Sequence, residues 1–320
     1  MLCVAARQAV LFREKFWWRI LTLISKAACL AATNDGVGCV RDEKEPLVQT
    51  KNALARFFVY EYLLGQRMNN KENLEWVKWG GSLVTVKEAF VPTYNEVQAQ
   101  ELVRQQMSAQ KGAPHTKFIL AHGVGSFGHQ MVRDGEPVEK VQASVAKLSD
   151  LLQATAQDMG LSLEVLHPHD FWDEGLATML IAIKKAWAEG KTPLLHGDQL
   201  DDGRVFSGES VFFELLNNQI EAFQEQFQSI RVFVQGRMDG VFIDEGDHSA
   251  IHPVLTQMPE GMSESTHGVD VSGGMPAKVD RLLKIAQLDV ESSILSGFRS
   301  DNLAQAMKGN SPYQTRIRKA

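Results

Sequence analysis

The sequence predicts an α/β protein built on a mainly parallel sheet with helices on both faces. Three observations lead there. From Leu74 onward, short apolar runs alternate with helical patterns, at the pitch expected of βαβ units. Two of the apolar runs pass straight into glycine-rich loops, and ligands of such sheets sit at the carboxyl ends of strands. The composition, 44% hydrophobic and 22% charged over 320 residues, is that of an ordinary soluble globular protein. In chain order, strands are expected at 75–79, 117–121, 162–166, 192–196, 230–235 and 292–296. Helices are expected at 95–110, 137–159, 174–189, 210–227 and 276–288. The loop-rich stretch 236–270 has room for a hairpin or a lid. The chain reads as an N-terminal extension, residues 1–70, followed by one domain, residues 71–320.

The bulk properties exclude several classes. A net charge of −6, with no basic stripe interleaved with aromatics, argues against a nucleic-acid partner. The three cysteines, Cys3, Cys29 and Cys39, all precede the main domain, so no disulfide framework holds it, and no Cys/His cluster has zinc-ligand spacing. The apolar stretch from Phe16 to Ala32 is interrupted by Arg19 and Lys26, which makes it a poor membrane span. Residues 1–33 are cationic, with Glu14 the only acid before Asp35. A dispensable extension on a cytoplasmic protein and a transit peptide to a mitochondrion or plastid are about equally supported. Residues 52–67 suit an amphipathic helix leading into the domain.

The glycine-rich loops carry the chemistry. The first is Lys78-Trp79-Gly80-Gly81-Ser82, after Leu74-Glu75-Trp76-Val77. The second is His122-Gly123-Val124-Gly125-Ser126-Phe127-Gly128-His129, after Phe118-Ile119-Leu120-Ala121. The third, Asp270-Val271-Ser272-Gly273-Gly274-Met275-Pro276-Ala277-Lys278, opens the 276–288 helix. Glycine lets backbone come close to a ligand, and free N–H groups at a loop-to-helix junction bind phosphate oxygens. Lysines beside two of the loops point to a site that holds polyphosphate and moves a phosphoryl group. The second loop has neither the dinucleotide fingerprint nor a Walker A sequence. Taken singly, several of these residues also have plain structural readings. Lys78-x-Gly-Gly-Ser suits a tight turn, Lys87 a solvated surface, and His122 and His129 structural hydrogen bonds.

Three further sites stand at element ends. In Leu194-Leu195-His196-Gly197-Asp198 the acid could orient a catalytic lysine or carry Mg²⁺, or simply form an Asx turn. Glu209, in Ser207-Gly208-Glu209-Ser210, sits where a carboxylate complements a helix dipole. Met238-Asp239-Gly240-Val241 carries an Asp-Gly pair suited to a hairpin turn. Lys278 lies in the first turn of its helix, against the dipole, which favours a functional cation.

In this order the motifs resemble isopentenyl phosphate kinase, of the amino acid kinase superfamily. The resemblance rests on Lys-x-Gly-Gly-Ser, His-Gly-x-Gly-Ser-Phe-Gly-His, His-Gly-Asp, Asp-Gly-Val and Asp-Val-Ser-Gly-Gly-Met-x-x-Lys, and covers roughly residues 74–317. It implies a three-layer αβα sandwich, ATP with Mg²⁺, transfer of the γ-phosphate to isopentenyl phosphate, and a homodimer. It makes Lys78 and Lys87 ligands of the transferring phosphates and His129 the ligand of the acceptor phosphate. Gly80, Gly81, Ser82, Gly123, Gly125 and Ser126 become phosphate cradles, and Lys278, with Gly273, Gly274 and Asp239, holds the nucleotide. Gly128, Gly197 and Asp198 fall on the acceptor side, and Glu209 is the surviving carboxylate of the family's Ser-Gly-Asp-Asp. No residue is assigned as a dedicated metal ligand.

The chain departs from the family at Val124 (a glycine in the family), at Ser210 (an acid), at Arg237 (an acid) and at Gln314 in the closing Gly-Thr pair. Valine is tolerated at 124 only if that position has φ below zero and faces no phosphate. A kinase of another small phosphate or phosphonate, similar to fosfomycin kinase, is the alternative enzyme. A degenerate protein that binds nucleotide or prenyl phosphate without turnover is the alternative outside catalysis.

Overall fold

The computed structural model describes residues 71–86, 89, 91–174, 176–244, 247–262 and 274–320. The expectations for residues 1–70, and those for Lys87 and Gly273, lie outside the described residues.

Six strands of the central sheet fall where apolar runs were expected: β1 (Glu72–Trp79), β2 (Thr116–His122), β3 (Leu163–Val165), β4 (Thr192–His196), β7 (Phe227–Gly236) and β11 (Glu291–Ser296). Two short strands, β10 (Val254–Leu255) and β12 (Gln314–Ile317), complete an eight-stranded sheet in the order β10-β12-β11-β7-β1-β2-β4-β3. Every neighbouring pair from β11 to β3 is parallel, while β12 runs antiparallel to β11. Two hairpins stand apart from the sheet: β5 (Asp198–Gln199) with β6 (Val205–Phe206), and β8 (Phe242–Asp244) with β9 (Asp247–Ile251). The second supplies the hairpin expected in 236–270. It does not turn at Asp239-Gly240 as expected; that pair is a bend ahead of β8. A Cβ on Gly240 would lie 2.5 Å from Thr315 Oγ1, and that hydroxyl accepts the N–H of Val241, so the Asp-Gly pair folds against β12.

The helices are α1 (Gly81–Val84), α2 (Glu96–Gly112), α3 (His129–Arg133), α4 (Val138–Asp158), α5 (Ala177–Ala188), α6 (Gly208–Gln226), α7 (Gly274–Ala286) and α8 (Asn302–Met307). The helix expected at 174–189 begins later, because Pro168–Glu174 forms a 3₁₀ segment and Leu176 takes a positive φ of 62° before α5.

Strand alternation explains the three layers. On β1, Leu74 and Trp76 pack to one face with Ile119, Ala121, Leu195, Val232, Val234 and Ile294, under α5, α6 and α7. Val77 and Trp79 pack to the other with Phe118, Leu120, Leu194, Phe233 and Leu295, under α2, α4 and α8. Side chains alternate across a strand, so a sheet buried on both faces needs runs that are apolar at every position. Trp76 anchors its face, edge-on to Phe212 at 4.8 Å and Phe223 at 5.4 Å between ring centroids. After β1 the chain builds outward through β2, β3 and β4, then crosses back to lay β7 on the other side of β1. That reversal is a topological switch point, where α/β sheets open a crevice beyond the strand ends.

Candidate active site

The crevice forms at the ends of β1, β2, β4 and β7. Lys78 is the penultimate residue of β1 and is buried. It does not sit as a solvated lysine in a turn. Its stem packs on Gly208, where an added Cβ would lie 3.2 Å from Lys78 Cε. Its Nζ donates to Glu209 Oε1 at 2.6 Å. Glu209 stands in the first turn of α6, whose N-cap Ser207 accepts the backbone N–H of Ser210 at 3.1 Å. Burial alone would raise the Glu209 pKa, but Lys78, and after it Lys278, outweigh burial and bring it down to about 2. The carboxylate is therefore ionised throughout the physiological range and fixes the lysine ammonium at the crevice floor.

The two glycine loops meet backbone to backbone above this pair. A Cβ on Gly81 would fall 2.5 Å from the Gly125 nitrogen, and one on Gly123 would fall 2.6 Å from the Gly81 nitrogen. No side chain fits between them. Gly125 has φ of 51°, a conformation other residues adopt only with strain. Thr85 ties the loops together: its hydroxyl donates to the Gly81 carbonyl at 2.8 Å and accepts the Ser126 N–H at 3.1 Å. Val124 has φ of −71° and ψ of −25°, so the backbone condition for a valine is met, but Val124 lines the cavity rather than turning away from it.

These parts line one cavity of 580 Å³. From the first loop it takes Gly80, Gly81 and Ser82, and from the second Gly123, Gly125, Gly128 and His129, which starts α3. Gly197, Asp198 and Glu209 form its far wall, while Gly274 and Lys278 enter from α7. Lys278 Nζ reaches to 3.8 Å from where a Gly236 Cβ would be, at the end of β7.

Three predicted site residues are placed differently. Ser126 does not line the cavity; its hydroxyl accepts the Thr93 N–H at 3.2 Å and helps fold the loop. Asp239 is also off the cavity wall, held by Arg299 through two bonds of 2.6 and 2.7 Å, with the guanidinium stacked 3.7 Å from the Tyr313 ring. Asp198 does not orient a lysine; it binds the chain around it. Its Oδ2 accepts from the backbone N and Nδ1 of His169 at 2.9 and 2.8 Å, and its Oδ1 accepts the Gln199 N–H at 2.9 Å. Glu209 takes the lysine-orienting role instead. His122 is structural: it is fully buried, bonded to Ser149 at 2.8 Å, and burial lowers its pKa to about 3.

Sequence reasoning overlooked the apolar part of the wall: Val132, Val141, Val145, Val205 and Phe206. Val141 and Val145 show only as core positions of α4, and nothing local marks them as facing a ligand. It also overlooked Arg281 of α7, which lines the cavity and stacks on Phe213 at 5.5 Å. Among the described residues, no group of three or more His, Cys, Asp or Glu could hold a metal ion.

The arrangement is what phosphoryl transfer asks of a protein: backbone and cations aimed at a polyphosphate, and little covalent chemistry. The chain is similar to several known proteins. Isopentenyl phosphate kinase of Methanothermobacter thermautotrophicus is 26% identical over 271 residues, spanning 75% of this chain and 97% of that protein. Isopentenyl phosphate kinase of Methanocaldococcus jannaschii is 24% identical over 218 residues, spanning 60% of this chain and 78% of that protein. A crystal structure of isopentenyl phosphate kinase superposes with a TM-score of 0.58 at 21% identity, covering 76% of this chain and 99% of that one. UMP kinase of Ureaplasma parvum superposes with a TM-score of 0.50 at 9% identity, covering 78% of this chain and all of that one. The chain has the amino acid kinase-like fold. The resemblance carried by its motifs to isopentenyl phosphate kinase thus extends over most of the described domain, in sequence and in architecture. No family model matches the chain. In this fold the glycine loops lie at the carboxyl ends of β1 and β2, as the strand-then-glycine pattern predicts. No helix among the described residues is long and apolar enough to cross a membrane.

Proposed function

We propose that this protein phosphorylates isopentenyl phosphate at the expense of ATP, giving isopentenyl diphosphate and ADP. An oxygen of the acceptor phosphate attacks the γ-phosphorus, a new P–O bond forms, and the bond from that phosphorus to the β-phosphate oxygen breaks. The observation that carries this reading is the buried Lys78–Glu209 pair beneath two glycine loops in backbone contact, sharing one cavity with His129 and a valine-rich wall. His129 holds the acceptor phosphate, and the wall of Val132, Val141, Val145 and Phe206 takes its hydrocarbon end. Lys78, kept in place by Glu209, neutralises charge on the transferring phosphoryl group, with Lys87 as a second cation. Lys278 and Gly274 hold the donor phosphates.

Of the cavity's two carboxylates, Asp198 is held by His169 and Gln199, while Glu209, with the nucleotide's own phosphates, would supply a donor set that fits Mg²⁺. When bound there, Mg²⁺ supplies further neutralisation of phosphate charge. Residues 71–320 constitute the catalytic domain, acting as a homodimer on a small-molecule substrate. The deciding experiment is turnover of ATP with isopentenyl phosphate by the whole chain, against fosfomycin and UMP as competing acceptors. Transfer to isopentenyl phosphate at a kcat/KM well above the others is expected. ATP binding without transfer to any short prenyl phosphate would replace the kinase with a binding protein.

A further inference from the structure

Behind the far wall of the cavity stands a ladder of four histidines that phosphoryl transfer does not use. His122 and His196 end adjacent strands and are register partners. Each bonds through Nδ1 to the carbonyl of the glycine that follows it, at 3.2 Å for Gly123 and 2.8 Å for Gly197. A carbonyl only accepts, so each Nδ1 carries the proton and each Nε2 accepts. The Nε2 of His122 faces the Ser149 hydroxyl at 2.8 Å, and that of His196 faces His167 Nδ1 at 2.9 Å. Burial lowers the His196 pKa to about 4, so this ring stays neutral and the pattern holds. His167 stacks on His169, with ring centroids 5.6 Å apart and planes at 20°. His169 closes the ladder by giving both its backbone N–H and its Nδ1–H to one oxygen of Asp198.

Asp198 is a carboxylate with no solvent exposure of its side chain, set in the wall of a cavity that must accept a phosphate dianion. Left uncompensated there, its charge would act on the phosphate through low-dielectric protein rather than through water. We propose that His169 is a positioning residue that cancels the Asp198 charge and so lets the acceptor phosphate be seated against that wall. The proposal rests on the reading of this cavity as an acceptor-phosphate site. The charged and titratable groups around His169 are Asp198 on β5, Asp170 on its own 3₁₀ segment with Oδ1 3.7 Å from Nε2, Asp201 in the β5–β6 turn, and His167 and His196. The bond to Asp198 raises the His169 pKa; burial works against it, and Asp198, Asp170 and Asp201 add to the rise. The side chain is 23% exposed and so can exchange its proton with solvent. As pH rises through that raised value the imidazolium is lost, the Asp198 charge is no longer cancelled although its hydrogen bonds persist, and acceptor binding weakens while ATP binding does not.

The test compares the wild type, His169→Gln and His169→Gln/Asp198→Asn between about pH 6.5 and 9, the range in which histidines titrate. Kinetics give KM for isopentenyl phosphate, KM for ATP and kcat, and calorimetry gives the binding of inorganic phosphate. Glutamine keeps a donor toward Asp198 but no charge. His169→Gln is expected to raise acceptor KM by about tenfold at pH 7, leave kcat and KM for ATP within about twofold, and remove the alkaline rise in KM. The double variant removes the charge that needed cancelling and should return acceptor KM to within about threefold of wild type. An unchanged acceptor KM, an equal loss in both substrates, or no rescue by Asp198→Asn would each overturn the proposal. If the wild type does not turn over isopentenyl phosphate, the kinase reading falls by itself and phosphate calorimetry decides alone. Binding weakened by His169→Gln and rescued by Asp198→Asn then upholds charge cancellation, and unweakened binding removes it.

Discussion

Strand β1 carries a buried member of each of two ion pairs, and the two behave in opposite ways. Glu75, at its middle, meets Arg231 of the neighbouring strand β7, while Lys78, near its end, meets Glu209 of α6. Burial raises the Glu75 pKa to about 7 even though Arg231 pulls the other way. Glu209 is also buried, yet its pKa falls to about 2. The difference lies in the number of partners. Glu209 has Lys78 in direct contact and Lys278 behind it, whereas Glu75 has Arg231 alone, and one of its oxygens, Oε2, is buried with no hydrogen-bond partner. A buried charge becomes stable only when its surroundings replace water fully. The end of β1 that faces the cavity provides this; its middle leaves a carboxylate that titrates near neutrality.

The sharpest way to break the comparison is at Lys78. Lys78→Met should reduce transfer by about a thousandfold or more, as loss of a preorganised charge at a transferring phosphoryl group does. Because it leaves Glu209 buried beside Lys278 only, Lys78→Met/Glu209→Gln serves as its folded control, checked by circular dichroism. Activity within about tenfold of wild type in a folded variant would remove Lys78 from the chemistry. Glu209→Gln should cost roughly a hundredfold in kcat by freeing the lysine. It should also change the acid limb of stability. With a folded pKa of about 2, Glu209 contributes stability that is complete above its unfolded value and is lost as pH falls toward 2, so the variant's melting temperature should fall less on acidification. His129→Ala should lower kcat/KM for isopentenyl phosphate about tenfold to a hundredfold, with a smaller change for ATP. Equal loss for both substrates would place His129 elsewhere.

The middle of β1 predicts a gain. Glu75 has a raised folded pKa, so its contribution is complete at low pH and is lost as pH rises through about 7. Glu75→Gln should therefore stabilise the protein by about 1 kcal/mol at pH 8, little at pH 5, and leave kcat unchanged. Destabilisation at pH 8 would show that the Arg231 contact outweighs burial. The smallest effect is expected at Val124, whose backbone is already in the common helical region: Val124→Gly should change kcat by no more than about threefold.

The sheet was legible because its strands are apolar on both faces, a pattern that survives in one dimension. The glycine loops were legible because nothing but glycine fits where backbones touch. Glu209 was visible as a helix-opening acid, but its partner lies 131 positions away and no local pattern links them. The short elements β5, β6, β10 and β12 escaped because two to four residues carry no period. The histidine ladder left a trace in the two His-Gly pairs that end β2 and β4, and another in His167-Pro168-His169. Their meeting depends on β2 and β4 being neighbours, which only the sheet order reveals.

The reversal of strand order around β1 has a consequence for how such a protein changes over time. On the proposed reading, the acceptor half of the cavity comes from chain between 116 and 210, and the donor half from chain between 227 and 317. The segment from Lys78 to Thr85 is shared by both. Substitutions that retune the accepted alcohol phosphate and those that retune the phosphoryl donor thus fall in separate stretches of sequence and can accumulate independently. Recombination near residue 227 would exchange one specificity and leave the other intact.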